Sequence, residues 1–192
     1  MEKKHVKIGD IDCGSEQLFL ISGPCVIEAE PLMMKTAERL KGISEALDLP
    51  LIFKSSFSKD NRSSLDYYQG PGLDEGLKML EKIKRGFELP ILTDIHYPSQ
   101  AAPAAEVVDV LQIPAYLCMQ SELVVAAAQT GAVVNLKHGQ FIAPDNMDKP
   151  VKKIETSGSE RIVLTERGYT FGYNDLVVDP RSFLLLNKIG YP

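Results

Sequence analysis

The sequence predicts an α/β fold in which short buried strands alternate with amphipathic helices. Six short apolar runs are each bounded by glycine, proline or polar residues, which is typical of strands that are buried on both faces. These runs cover residues 18–23, 50–56, 90–96, 107–114, 133–139 and 162–167. Five amphipathic stretches lie between or after them, at residues 30–47, 73–87, 120–130, 146–157 and 180–189.

In chain order, each apolar run ends in a polar residue and leads through a loop into a helical pattern. The second helical stretch is the clearest, because its apolar residues recur every three or four positions with lysine and glutamate between them. These residues are Leu73, Leu77, Leu80, Ile83 and Phe87. The alanine-rich segment after Ser99 is short and interrupted by proline, so we predict no helix there.

Six repeats of strand and helix require a parallel sheet with right-handed crossovers, either a doubly wound open sheet or a barrel. The first strand-to-helix turn, Ser22-Gly23-Pro24-Cys25, lacks the glycine pattern of dinucleotide-binding folds. We therefore favour a single (β/α)8 TIM-barrel domain over residues 1–192, of which this chain supplies about six βα units. Because six strands cannot close a barrel of eight, we expect the C-terminal part of the barrel to be absent from this sequence.

Composition narrows the class of protein. The 192 residues are 44% hydrophobic and 24% charged, as in an ordinary globular domain. We expect no membrane partner, since no apolar run approaches about 18 residues, and no nucleic-acid partner, since the net charge is −5. The charged N-terminus and three sparse cysteines predict a protein of the reducing cytoplasm.

Polar side chains follow the apolar runs at the point where each predicted strand ends. They are Cys25, Lys54, Asp94, Gln112, Lys137 and the pair Glu166-Arg167. In a barrel, these positions converge on the C-terminal face, where active sites lie. Lys54, Lys137 and Arg167 would then form a cluster of positive charge that fits a phosphate or carboxylate. Any one of them alone is slightly better explained as a surface residue or half of an ion pair, so the prediction depends on the set.

The segment 54–64 concentrates phosphate-binding side chains. Lys54, Lys59 and Arg62 supply three cations, and serine and asparagine residues between them supply neutral donors. A solvated loop rich in turn-forming residues has the same composition, so composition alone leaves both interpretations open.

An ordered set of motifs resembles the 3-deoxy-D-manno-octulosonate 8-phosphate synthases from about residue 18 to the last residue. The motifs are Gly23-Pro-Cys25, Lys54-Ser-Ser-Phe57, Asn61-Arg-Ser-Ser64, Thr93-Asp-Ile-His96, Gln112-Ile-Pro-Ala115, Asn135-Leu-Lys137, Gly139-Gln-Phe141, Thr165-Glu-Arg-Gly168 and Phe171-Gly-Tyr-Asn174. The sister family, the 3-deoxy-D-arabino-heptulosonate 7-phosphate synthases, typically has Lys-Pro-Arg-Thr where this chain has Asp60-Asn-Arg-Ser63. This difference favours arabinose 5-phosphate over erythrose 4-phosphate as the sugar.

The resemblance implies an enzyme of lipopolysaccharide biosynthesis that condenses phosphoenolpyruvate with arabinose 5-phosphate and water and releases phosphate. It implies catalytic roles for Lys59, Asp94 and Lys137. The implied substrate-binding residues are Lys54, Ser56, Asn61, Arg62, Ser63, Gln112, Ala115 and Arg167. By similarity, Lys54, Lys137 and Arg167 hold phosphoenolpyruvate. The residues that match the sugar-phosphate loop are Lys59, Asn61, Arg62 and Ser63. The resemblance also implies a homo-oligomer, usually a tetramer.

Cys25 matches the metal-dependent branch of this family, which implies a divalent metal, zinc or iron(II), bound by its thiolate. The other ligands, by resemblance a His, a Glu and an Asp, are expected beyond Pro192. A small structural thiol is the alternative for Cys25, and Cys13 and Cys118 are interpreted as structural. His138 stands where the family commonly has a second lysine. Two other functions stay open, a heptulosonate phosphate synthase and a non-catalytic truncated remnant.

Overall fold

The structure is a computed structural model that describes residues 3–192. Its strands are β1 Val6–Ile8, β2 Ile11–Cys13, β3 Leu20–Ser22, β4 Leu51–Lys54, β5 Ile91–Asp94, β6 Val110–Ile113, β7 Val133–Lys137, β8 Ile162–Thr165, β9 Tyr169–Phe171 and β10 Asp175–Val177. Its α-helices are α1 Glu30–Ala46, α2 Leu73–Phe87, α3 Ala101–Ala105, α4 Ser121–Gln129, α5 Asp148–Thr156 and α6 Arg181–Asn187. None of the described helices has the length and apolar character needed to cross a membrane.

The six predicted strands form one parallel sheet in the order β3-β4-β5-β6-β7-β8. Each strand pairs with the next along the chain, so the strand order never reverses as it does in a doubly wound sheet. The sheet curls into a half-barrel with the helices on its outer face, which confirms the predicted fold class. The strands are shorter than the apolar runs, because the polar ends of the runs form the loops that follow them.

Side chains alternate between the two faces of this sheet and build two apolar layers. The outer face carries Phe53, Leu111 and Val134, which pack with buried helix residues such as Leu80 and Ile83. The inner face carries a lower layer of apolar side chains near the start of the strands. This layer consists of Ile52, Leu92, Val110, Val133 and Val163. Above it, toward the strand ends, the inward-facing residues become polar.

An antiparallel hairpin of β1 and β2 closes the lower end of the half-barrel. Val6, Ile8, Ile11 and Cys13 of this hairpin pack against the lower apolar layer. A main-chain hydrogen bond also joins the residues just before the hairpin to those after α6, because the Lys4 N–H donates to the Gly190 carbonyl at 2.8 Å. The sequence did not predict this hairpin, and Cys13, interpreted as structural, is completely buried in it.

Two helices differ from the prediction. Residues 101–105 form the short helix α3, where none was predicted, because Pro103 lies in the first turn and needs no intrahelical donor there. Helix α5 begins at Asp148 and not at residue 146, because Pro144–Met147 forms a separate 3-10 turn. A second unpredicted hairpin, β9 and β10, follows the sheet and leaves Phe171 and Leu176 exposed.

Candidate active site

The polar residues at the C-terminal ends of the strands meet in a cavity of about 470 Å³. Its wall consists of Lys59, Asp60, Asn61, Arg62, Asp94, His96, Gln112, Pro114, Ala115, Tyr116, Leu117, Lys137 and Arg167. Eight of the twelve predicted site residues therefore line one cavity, namely Lys59, Asn61, Arg62, Asp94, Gln112, Ala115, Lys137 and Arg167. Lys54 and Ser56 lie directly below it and contact Asp94. Ser63 and Cys25 do not belong to its wall.

Asp94, the last residue of β5, is the centre of the charged network below the cavity. Its Oδ2 accepts hydrogen bonds from Lys59 Nζ at 2.7 Å and from Ser56 Oγ at 2.8 Å. Lys54 Nζ lies 3.7 Å from its Oδ1, which also accepts a hydrogen bond from Gln112. The Asp94 side chain is only 6% exposed, so these partners take the place of water around its charge.

This network determines the charge of Asp94. Burial alone would raise the pKa of its carboxyl group, but Lys54 and Lys59 outweigh burial and lower that pKa to about 2. Asp94 is therefore a carboxylate at any physiological pH, and it has no proton to give as a general acid. Burial lowers the pKa of Lys54, while the Asp94 charge opposes that shift. The carboxylate thus favours the charged form of Lys54 and holds Lys59 in place through their hydrogen bond.

A row of hydrogen-bonded side chains runs from Asp94 across the inner face of three more strands. Asn135 Nδ2 donates to Gln112 Oε1 at 3.1 Å, and Thr165 Oγ1 donates to Asn135 Oδ1 at 2.7 Å. The strand register places these residues side by side, because Asp94 pairs with Gln112 and Gln112 pairs with Asn135. Every donor points toward Asp94, so the row fixes the orientation of both amides. The sequence analysis missed Asn135 and Thr165 in this role.

Lys137, at the end of β7, and Arg167, after β8, form the cationic wall of the cavity. Burial lowers the pKa of Lys137, the Asp94 charge opposes this shift, and the nearby Arg167 and Lys59 charges add to it. Arg167 Nη1 is buried, and within residues 3–192 it has no hydrogen-bond partner. A buried guanidinium nitrogen without a partner is costly, and an anion in the cavity would satisfy it.

The loop that follows β4 forms the outer wall. The Lys59 N–H donates to the Gln69 carbonyl at 2.7 Å, and Arg62 Nε donates to the Tyr68 carbonyl at 3.2 Å. Asn61, Arg62 and Ser63 are exposed, so the loop presents its donors to solvent. A larger hollow of about 630 Å³ lies behind it, but it shares only Arg62 with the cavity and has no cluster of cations.

Cys25 lies at the rim of the sheet, just after β3. A side chain at Gly23 would come within 2.0 Å of the Lys54 carbonyl oxygen, so only glycine permits the turn that brings Cys25 to this edge. Cys25 is exposed and lies within electrostatic range of Lys54 and Lys137. Its thiolate suits zinc or iron(II), yet no three His, Cys, Asp or Glu side chains between residues 3 and 192 form a metal-binding group. The described residues therefore do not make up a complete metal site.

Comparisons with known proteins agree on one family. The model of the DAHP synthetase I family matches residues 2–189. The chain is 55% identical to the 2-dehydro-3-deoxyphosphooctonate aldolase of Trichlorobacter lovleyi and 54% identical to that of Pelobacter propionicus, each over 98% of this chain and 70% of the relative. It is 47% identical to the protein of the same name from Protochlamydia amoebophila, over 98% of this chain and 69% of the relative.

Proposed function

Because this chain belongs to the DAHP synthetase I family, we propose that it is a 3-deoxy-D-manno-octulosonate 8-phosphate synthase. The reaction joins phosphoenolpyruvate, arabinose 5-phosphate and water to give 3-deoxy-D-manno-octulosonate 8-phosphate and phosphate. The names of the relatives, 2-dehydro-3-deoxyphosphooctonate aldolases, support this product. The observation that carries the proposal is the cavity, where Lys59, Lys137 and Arg167 surround a space suited to a small anion.

Phosphoenolpyruvate carries a phosphate and a carboxylate within a few atoms, so its site needs several cations. We assign it to Lys137 and Arg167, with Lys54 below and Gln112 and Ala115 lining the site. The buried Arg167 Nη1 supports this assignment, because a bound oxyanion would supply its missing acceptor. Binding on this side leaves the exposed donors of residues 61–63 for the phosphate of the sugar.

The bond forms between C3 of phosphoenolpyruvate and the aldehyde carbon of the sugar, and positive charge develops at C2 while the aldehyde oxygen gains negative charge. Lys59 is the cation that we assign to that oxygen, since its Nζ lies at the cavity wall and is held at 2.7 Å by Asp94. Water then adds to C2 and phosphate leaves. The protein contributes mainly orientation and preorganised charge, and Asp94 acts by holding Lys54 and Lys59 in place.

The choice of sugar is tested by measuring phosphate release from phosphoenolpyruvate with arabinose 5-phosphate and with erythrose 4-phosphate. We expect release with arabinose 5-phosphate and little with erythrose 4-phosphate. The reverse preference would make the protein a heptulosonate phosphate synthase. No release with either sugar, from a folded chain that binds phosphoenolpyruvate, would favour the non-catalytic alternative.

Cys25 remains our candidate ligand for a divalent metal, which would bind the substrates or a water near the strand ends. The exposed thiol and its place at the rim of the cavity face support this role. A complete site would need ligands from outside residues 3–192, as metal sites usually have about three protein ligands. Metal analysis of a protein that also carries those ligands should show zinc or iron that is lost in Cys25→Ala, whereas residues 1–192 alone should hold little metal. Full activity after exhaustive chelation would contradict the proposal.

We further propose a cytoplasmic homo-oligomer, of which a tetramer is the expected form. The three cysteines are all free thiols, which suits a reducing compartment. Large apolar side chains are exposed on the β9–β10 hairpin with its turn and on α6, among them Phe171, Tyr173, Phe183 and Leu184, and such patches are typical of protein interfaces. Light scattering after gel filtration would give the mass of the assembly, and a monomeric mass would contradict this proposal.

A further inference from the structure

His138 and Glu166 form a buried contact directly behind the cationic wall. His138 follows Lys137 at the end of β7, and Glu166 precedes Arg167 after β8. Because side chains alternate along each strand, Lys137 and Arg167 face the cavity while His138 and Glu166 face the other way. The two side chains are 1% and 3% exposed, and His138 Nδ1 lies 3.5 Å from Glu166 Oε2.

Backbone groups of the two following loops hold both members of this contact in place. His138 Nε2 lies 2.7 Å from the Ile142 carbonyl oxygen, which can only accept, so Nε2 carries a hydrogen. Glu166 Oε1 accepts the Gly168 N–H at 2.5 Å. His138 Nδ1 is buried and, within residues 3–192, its nearest polar group is the Glu166 carboxylate. Each side chain is therefore anchored by the loop that follows its own strand, and the two meet between β7 and β8.

We propose that the His138–Glu166 pair is a positioning device that holds Lys137 and Arg167 at the spacing at which they bind one anion. Each member is joined through a single peptide bond to one of the two cations, and the pair lies across the gap between β7 and β8. The His138 N–H also donates to the Thr165 carbonyl at 2.8 Å, so the main-chain hydrogen bonding between β7 and β8 continues as far as His138. The inference rests on the proposed function only for the identity of the anion.

A purely electrostatic role for Glu166 predicts the opposite effect of its removal. A negative charge beside Arg167 lowers the positive potential of the cavity, so neutralising it would tighten the binding of an anion. A positioning role predicts weaker binding, because Arg167 loses its fixed place although the cavity becomes more positive. The sign of the change in affinity therefore distinguishes the two roles.

The test compares Glu166→Gln with the native chain by calorimetric titration with phosphoenolpyruvate and, separately, with inorganic phosphate. Positioning predicts a dissociation constant raised on the order of tenfold to a hundredfold, comparable to the roughly hundredfold cost that a misplacement of about 1 Å imposes on a reacting group. Glu160→Gln is the matched control, because it removes the same charge at the other end of β8, where Glu160 is 72% exposed. It should bind both anions as the native chain does.

Unchanged or tighter binding in folded Glu166→Gln would overturn the inference, even if its melting temperature falls, because that result describes a merely structural pair. If Glu166→Gln fails to fold, Glu166→Asp replaces it. This variant keeps the carboxylate but moves it back by one methylene. Anion affinity equal to that of the native chain would then overturn the inference too. A native chain that binds phosphate but not phosphoenolpyruvate would contradict the proposed function, while phosphate still tests the pair. Binding of neither anion would refute both.

Discussion

Replacement of Arg167 is the sharpest test of the anion site. Its buried Nη1 has no partner within the described residues, and Lys137 is close enough for the Arg167 charge to contribute to lowering its pKa. Loss of one partner from a desolvated charge pair costs about 2–5 kcal/mol. We therefore expect Arg167→Ala to raise the dissociation constant for phosphoenolpyruvate roughly thirtyfold to several thousandfold. The dissociation constant of Arg167→Lys should lie between those of the native chain and Arg167→Ala, because lysine keeps the charge and loses the planar guanidinium group.

The assay is calorimetric titration of each variant, followed by a double-mutant cycle with Lys137→Ala. If both cations bind the same ligand, their effects should not add, because residues that share a partner are coupled. Arg161→Ala is the matched control, since Arg161 is exposed at the other end of β8 and its side chain donates to the Lys7 carbonyl at 3.3 Å, away from the cavity. Native affinity in both Arg167→Ala and Lys137→Ala would refute a shared anion site.

Three further predictions concern neighbouring residues. Arg62→Ala should raise the Michaelis constant for arabinose 5-phosphate more than that for phosphoenolpyruvate, and the reverse would mean that the two sites are exchanged. The pKa of Asp94 is about 2 in the folded chain against an ordinary 3.8, so its ionisation stabilises the fold above about pH 4. Roughly 2 kcal/mol of the free energy of unfolding is lost as pH falls toward 2. Urea unfolding should show this loss in the native chain and not in Asp94→Asn. Thr165→Val removes the donor to buried Asn135 and should cost about 1–3 kcal/mol in the same assay, whereas an unchanged midpoint would contradict the importance of the hydrogen-bonded row.

The six strands of the sheet were predictable because buried parallel strands appear in a sequence as continuous apolar runs. The ends of these strands were harder to predict, as the run of residues 107–114 shows. Only Val110–Ile113 is strand, since Val107 and Val108 bond back to Ala104 at the end of α3 and are apolar because they pack in the core. Hydrophobicity reports burial, and here burial extends beyond the sheet.

The hairpin of β1 and β2 could not be predicted from its own residues. Each strand has three residues, and an alternation in which only the two end residues are buried is too short to separate from chance. What stabilises the hairpin is contact with strands that are distant in the sequence, such as β8 through Val163. A local pattern contains no information about that contact.

The cations and Asp94 of the candidate site were predictable, whereas the groups that support them were not. Lysine, arginine and aspartate at the ends of buried strands are conspicuous, because a charge there needs a reason. Asn135 and Thr165 gave a weaker signal, as each lies two residues before a predicted cation on the same face. Their hydrogen bond depends on the register between β7 and β8, which only the folded chain determines.

The hairpin at the lower end of the half-barrel has a consequence for how the chain folds during synthesis. It leaves the ribosome well before its partners, because its apolar side chains pack against Val163 and Lys4 bonds to Gly190. At about 5–20 residues per second, those partners follow roughly ten to forty seconds later. Until then Val6, Ile8 and Ile11 have no complete surface to cover them. The segment that covers the lower end of the half-barrel is therefore made before the strand it packs against, and it can be fully seated only after that strand has been made.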